Sequence, residues 1–182
     1  DTLFSEFLQT GLLYVQTASS MIPAKVLGPD AGDHVLDMCA APGSKTTHIA
    51  ALMGNRGSID AWDVYPHKVK LIKDNAKRLG ISIIHTEVRD SVKPLPFLYG
   101  HKVELRWRRK ESDLSVFPPL QKQLIEQAAK YTKTGGVLVY STCTLNPDEN
   151  EHIINEFLSL HSEFAPEEFN FPVLGKSLNG MM

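Results

Sequence analysis

The chain has 182 residues, 42% of them hydrophobic, with 19 basic and 21 acidic side chains and a net charge of −2. That length supports one hydrophobic core, and the near balance of charge excludes a whole-molecule field for nucleic acid or anionic membrane, so any RNA contact must come from a local patch. Two cysteines far apart give neither a disulfide framework nor a zinc spacing, no apolar run reaches the roughly 18 residues of a membrane span, and Asp1-Thr2-Leu3-Phe4 lacks a signal peptide's basic start, so a cytoplasmic protein without metal or membrane partner is expected.

In chain order, a lead-in over residues 1–30 precedes His34-Val35-Leu36-Asp37, which reads as a short strand followed by the small-residue run Met38 to Ser44. Lys45 to Met53 suits a helix, with Ile49, Leu52 and Met53 on one side. Ser58 to Trp62 reads as a second strand ending at Asp63. Tyr65 to Leu79 has helical spacing and stops at Gly80. Ile81 to Val88 is a third strand, leading to Arg89-Asp90. Gln121 to Tyr131 reads as a helix, and Gly136 to Tyr140 as a buried strand, since a short apolar run entered through Gly-Gly suits a parallel sheet. Asn146-Pro147-Asp148-Glu149 looks like a helix start, with Asn as N-cap, and the helix is expected over Glu149 to Leu160. Strand and helix in alternation predict an α/β fold: a mostly parallel sheet with helices on both faces.

Cys143 falls in Ser141-Thr142-Cys143-Thr144, at the carboxyl end of the expected strand, and that edge of an open α/β sheet is where ligands bind. It is a candidate nucleophile there; the plainer reading is a small apolar residue at a strand top. The run after the first strand lets backbone approach a bound molecule, and the helix start beyond it offers free N–H groups. Asp63, 26 residues after Asp37, stands where a carboxylate holds ribose hydroxyls in nucleotide-type cofactors, and Asp90 could accept from an adenine amino group. Each acid also has a plain reading as a turn former. Gly43-Ser44-Lys45-Thr46 is not a P-loop, since Ser44 separates Gly43 from Lys45, and a dinucleotide fingerprint needs more glycines than this loop has.

Asp37-Met38-Cys39-Ala40-Ala41-Pro42-Gly43-Ser44-Lys45-Thr46, together with Ser141-Thr142-Cys143-Thr144, resembles the RNA (cytosine-5)-methyltransferase family of the Sun/Fmu type. Gly11-Leu12-Leu13-Tyr14-Val15-Gln16, Ala18-Ser19-Ser20 and Asn150-Glu151 agree with it, so the resemblance covers most of the chain. It implies a Rossmann-like, S-adenosylmethionine-dependent methyltransferase domain over residues 1–182. By the same resemblance, Cys39, Ala40, Ala41, Pro42, Gly43, Ser44 and Lys45 would wrap the methionine end of the cofactor. Asp63 would hold the ribose with Lys68 nearby, Asp90 would lie on the adenine side, and Cys143 would be the nucleophile. Ser44 stands where the family more often has a second glycine. The implied partner is RNA, ribosomal first and transfer RNA second, met by a monomer. Thiolate attack at carbon 6 of cytosine would make carbon 5 electron-rich enough to take a methyl group.

One part of the family pattern is missing. The family carries a second loop, Asp-Ala-Pro-Cys-Ser-Gly, after its fourth strand; its aspartate contacts the cytosine and its cysteine aids product release. Here the only strand candidate between Asp90 and Gln121 is Lys102-Val103-Glu104-Leu105, which runs straight into Arg106-Trp107-Arg108-Arg109-Lys110. Either a stretch of the encoded protein is missing from this sequence near residues 104–106, or the chain is a natural deletion without activity. The first is expected, because Arg106 to Arg109 resembles the family's sequence downstream of that loop. The chain is also expected to stop before the fold's closing antiparallel strands and any attached RNA-binding domain. Arg106, Trp107, Arg108 and Arg109 form the best local RNA patch, a stacking ring among cations; a solvated loop is the alternative. The competing function is an inactive RNA-binding or scaffold homologue. A cysteine hydrolase pairing Cys143 with His152 is disfavoured, since His152 falls on the following helix and no oxyanion loop is evident.

Overall fold

The computed structural model describes residues 2–92, 116–171 and 175–176. The expected fourth strand and the basic patch Arg106, Trp107, Arg108 and Arg109 lie outside the described residues. The chain divides into two compact units, Asp1–Lys93 and Pro94–Met182.

The first unit is built on β1 (His34–Asp37), β2 (Ser58–Asp63) and β3 (Ile84–Val88), all parallel, in the order β1-β2-β3. Parallel neighbours need long crossovers, and α3 (Ser44–Leu52) and α4 (Pro66–Arg78) supply them. Register aligns Val35, Ile59 and Ile84 in one row. On that row pack Ile49, Ala50 and Met53 from α3 and its end, with Ala24 of α2 (Ala18–Leu27) behind them. Ala61, two residues along β2 on the same face, packs against Ile72 of α4 and Ala40. Met53, Ile59 and Ile72 are fully buried, and each contributes about 1.5–3 kcal/mol by leaving water.

Where α4 ends explains why β3 starts at Ile84 and not at Ile81. Gly80 takes φ +65, its N–H bonds the Lys77 carbonyl (3.2 Å), and the Ile81 N–H reaches back to Ala76 (2.9 Å). This glycine-capped turn uses Ile81 to close the helix, so the chain turns into the sheet only afterwards.

Two helices stand in the lead-in where the sequence predicted only a segment: α1 (Thr2–Gln9) and α2. Between them the chain is clasped to the end of α4. The Arg78 guanidinium donates to the carbonyls of Leu8 (2.7 Å) and Leu13 (3.0 Å). Gly11, at φ +79, lies so close that a Cβ there would sit 1.6 Å from the Arg78 carbonyl oxygen. Gly11→Ala therefore meets both a left-handed backbone and a collision. The expected result is a loss of at least about 1–2 kcal/mol, read as a lower denaturant midpoint at unchanged slope.

In the second unit, α5 (Phe117–Tyr131) and α6 (Glu151–Leu160) pack through Ile125, Ile153 and Phe157, with Leu138, Tyr140 and Phe164 around them. α5 begins four residues before the expected Gln121, because Pro118 and Pro119 fit a first helical turn, whose N–H groups need no partner. The expected strand over Gly136–Tyr140 is not formed. A strand is defined by its ladder, and among the described residues of this unit none pairs with it; Leu138 and Tyr140 pack on the helices instead. A short separate hairpin follows, β4 (Asn170–Phe171) pairing antiparallel with β5 (Gly175–Lys176). Among the described residues, no helix is long and apolar enough to cross a membrane.

Candidate active site

The carboxyl ends of the three parallel strands carry Asp37, Asp63 and Asp90, and each repeats one local device. Asp37 Oδ1 accepts from the Cys39 N–H (3.3 Å), Asp63 Oδ1 from the Tyr65 N–H (3.0 Å) and Asp90 Oδ1 from the Val92 N–H (3.0 Å). Each acid thus forms the turn that ends its strand. The turn reading is correct for all three, and it occupies one oxygen of each. Asp37 spends its second oxygen on the Thr46 hydroxyl (2.7 Å), tying β1 to the first turn of α3. For Asp63 and Asp90, no bond to Oδ2 occurs among the described residues, which leaves an acceptor on two adjacent strand ends.

The run Cys39, Ala40, Ala41, Pro42, Gly43, Ser44 and Lys45 makes one tight connection from β1 into α3. The Ala40 N–H bonds the Trp62 carbonyl (2.9 Å), the Gly43 N–H bonds Ala40 (2.7 Å), and Asn75 of α4 donates to the Pro42 carbonyl (3.0 Å). Gly43 caps α3 at φ +101, a conformation that strains any side chain, and a Cβ on it would press tightly on Ile72, 3.3 Å from its Cα. Ser44 is the first residue of α3, in regular helix, so serine in place of the family's glycine costs no conformational freedom. Gln16, from the lead-in, donates to the carbonyls of Ser44 and Ser20 (3.2 Å each) and braces the loop from outside. Ser91, just past β3, donates to the Met38 carbonyl (2.8 Å).

Electrostatics acts on Cys39. Burial raises the Cys39 thiol to about 12, the charges of Asp37 and then Asp63 adding to the rise while Lys68 and Lys45 oppose it. Cys39 has an exposed surface, but the two carboxylates push the same way at any degree of burial. A raised thiol holds less thiolate near neutral pH than a free one. Asp37 is raised too, mainly by burial, against the lowering hydrogen bonds from Thr46 and Cys39. Lys68 lies 4.7 Å over the Tyr65 ring, so its ammonium is engaged on α4's first turn.

Cys143 is exposed in an irregular turn over residues 141–146. Asn146 does act as a cap, its Oδ1 taking the Asp148 N–H (3.1 Å), but it caps only a 3-10 turn over Pro147–Glu149. The helix proper starts at Glu151, not at the expected Glu149, so only a short 3-10 turn stands between the Cys143 segment and α6. His152 pairs with Asp148 (2.7 Å) on α6, its neighbour one turn back. Sequence reasoning gave no turn-shaping role to Asp37, Gln16, Glu149 or Asn150, the groups that hold the two turns. An acid closing a strand was the available signal for Asp37; the others depend on contacts distant in sequence.

The family model described as 16S rRNA methyltransferase RsmB/F matches residues 24–100 and again 97–180. The chain belongs to the RsmB/F family. The probable ribosomal RNA small subunit methyltransferase B of Bacillus subtilis (strain 168) is 37% identical over 182 aligned positions, covering 90% of this chain and 41% of that protein. The tRNA (cytosine(72)-C(5))-methyltransferase NSUN6 of Mus musculus is 38% identical over 168 positions, covering 76% and 35%. The crystal structure of NSun6 from Pyrococcus horikoshii with SFG superposes with a TM-score of 0.79 at 32% identity, covering 96% of this RsmB/F-family chain and 48% of that one. The fold is thus the Rossmann-like fold of S-adenosylmethionine-dependent methyltransferases. The chain spans about two fifths of the length of the curated relatives it matches. It is also shorter than they are inside the matched region. Ninety per cent of 182 residues is about 164, so about 18 of the 182 positions aligned to the Bacillus protein have no residue here; for the mouse protein 76% is about 138 of 168, leaving about 30.

Proposed function

We propose that this RsmB/F-family chain is the catalytic part of an S-adenosylmethionine-dependent enzyme that methylates carbon 5 of cytosine in RNA, ribosomal RNA first. The observation that carries the reading is the pair of turns. One, from β1 into α3, is shaped by Asp37 and Gly43 and stands beside strand ends with open acceptors at Asp63 and Asp90. The other presents the exposed thiol of Cys143. The family's relatives support the substrate class, being named for ribosomal RNA and for a transfer RNA cytosine.

The residues fit the cofactor. SFG, carried by the Pyrococcus relative, is an S-adenosylmethionine analogue; a nucleoside with an amino-acid tail needs ribose acceptors and close backbone. Asp63 Oδ2 would accept from ribose, Asp90 from the adenine amino group, and the Cys39–Lys45 turn would lie along the methionine end. When bound, the cofactor supplies an electrophilic methyl. Cys143 supplies the nucleophile: its thiolate adds to carbon 6, the carbon 5–carbon 6 double bond opens, and after methyl transfer the carbon 5 proton leaves to a base as the sulfur–carbon bond breaks. Cys39, whose thiol the Asp37 and Asp63 carboxylates push up, is the poorer nucleophile candidate.

The missing positions bear on this directly. We read them as the segment holding the second active-site loop, missing near residues 104–106; the family match in two pieces, 24–100 and 97–180, supports a break in this part of the chain. An uninterrupted Glu104-Leu105-Arg106 in the gene would favour the scaffold alternative. The full-length gene product is expected to bind S-adenosylmethionine in calorimetry and to transfer a labelled methyl group to ribosomal RNA. Binding without transfer supports the scaffold reading, and a folded protein that does not bind overturns the proposal.

A further inference from the structure

The turn that presents Cys143 has no regular structure to hold it. Residues 141–146 belong to no helix or strand, and the run before them forms no ladder within its described unit. The Thr144 hydroxyl takes the Asn146 N–H (3.1 Å), and one further side chain spans the whole turn. The Asn150 amide nitrogen donates to the carbonyls of Thr144 (2.9 Å) and Asn146 (3.0 Å), and its oxygen accepts from the Thr142 hydroxyl (2.5 Å). Three of the four hydrogen bonds an asparagine can make are therefore spent on the residues that flank Cys143 on both sides.

The anchor is fixed in turn. Glu149, next to it, is buried at 7% exposure. Its carboxylate accepts from Gln121 of α5 (2.8 Å) and from Asn146 (3.2 Å), and its backbone carbonyl accepts from the Tyr140 hydroxyl (2.8 Å). Strain in the turn would have to move a buried carboxylate and two packed helices.

We infer that Asn150 is a positioning residue for Cys143, its amide bonds to Thr142, Thr144 and Asn146 setting where the thiol stands for attack. The inference rests on Cys143 being the nucleophile. The chemistry requires asparagine. Aspartate keeps the acceptor for Thr142 but sets a charged oxygen against two carbonyls, and alanine removes all three bonds. A nucleophile misplaced by about 1 Å loses on the order of 10²-fold in rate.

The test uses full-length protein and an RNA bearing 5-fluorocytosine, whose fluorine blocks proton loss from carbon 5 and traps the adduct. For Asn150→Ala, the trapping rate at saturating RNA is expected to fall about 10²-fold, while the half-saturating RNA concentration and the cofactor affinity stay within twofold. Thr142→Val, which removes one bond and leaves the fold least disturbed, is expected to fall less. A wild-type trapping rate in both variants overturns the inference. Hydrogen exchange separates this outcome from failure of the functional reading. If wild type itself traps nothing, unchanged exchange at the 142–146 amides in Asn150→Ala still overturns the positioning role, and faster exchange confined to them supports it.

Discussion

Cys143→Ser is expected to abolish the covalent adduct with 5-fluorocytosine RNA while leaving cofactor affinity within about twofold, whereas Cys39→Ser is expected still to form it. Only the thiolate adds to carbon 6. Cys39 is held up at about 12 by burial and by the carboxylates of Asp37 and Asp63. Cys143 is exposed on a turn held on both sides by one asparagine. Serine keeps the size and a hydrogen-bonding hydroxyl, so the turn survives, but an alkoxide at neutral pH is far rarer than a thiolate. The measurement is a gel shift of denatured protein bearing RNA. Trapping by Cys143→Ser at the wild-type level would remove the nucleophile assignment and point to a cysteine in the segment this sequence lacks.

The parts of the fold readable in sequence are those whose signal is local. β1, its small-residue turn, α3, β2 and α4 follow from apolar spacing and from Gly80 as a terminator, and their ends fall within about two residues of expectation. Ile81 to Ile83 misled because apolar residues that close a helix and cover the core resemble the start of a strand. Gly136 to Tyr140 misled for the opposite reason, since an apolar run is a strand only where a neighbour completes the ladder. Asn146-Pro147 carried a true capping signal, yet a cap does not say how many residues follow it; there the count was three.

The candidate site divides in the same way. Asp37, Asp63 and Asp90 were visible as acids at strand ends; one oxygen of each makes a turn, and Oδ2 of Asp63 and of Asp90 takes no bond among the described residues. The bracing of the two turns was not visible. Gln16 reaches 28 residues along the chain to Ser44, and Gln121 the same distance to Glu149. Spacing rules address neighbours on one helix or strand and are silent about such bonds.

Asp63→Ala is expected to weaken S-adenosylmethionine binding by about 1.5–3 kcal/mol, roughly 10- to 150-fold, through the loss of charge-assisted hydrogen bonds to ribose. Asp63 also ends β2 by accepting the Tyr65 N–H at 3.0 Å, so alanine alone could act by loosening the turn. Asp63→Asn separates the two effects. Its Oδ1 can still accept from Tyr65, but the second oxygen becomes a donor and the charge is gone. If ribose is held by the carboxylate, asparagine loses nearly as much affinity as alanine while its melting temperature stays near wild type. If the turn is what matters, asparagine binds like wild type. The same variant carries an internal check, because the Asp63 charge is one cause of the high Cys39 thiol. Its removal brings that thiol down toward the ordinary range, and alkylation of Cys39 at fixed pH becomes faster. Equal cofactor affinity in wild type, Asp63→Ala and Asp63→Asn, with Cys39 alkylation accelerated, would leave Asp63 as a neighbour of the loop and take it out of the cofactor site.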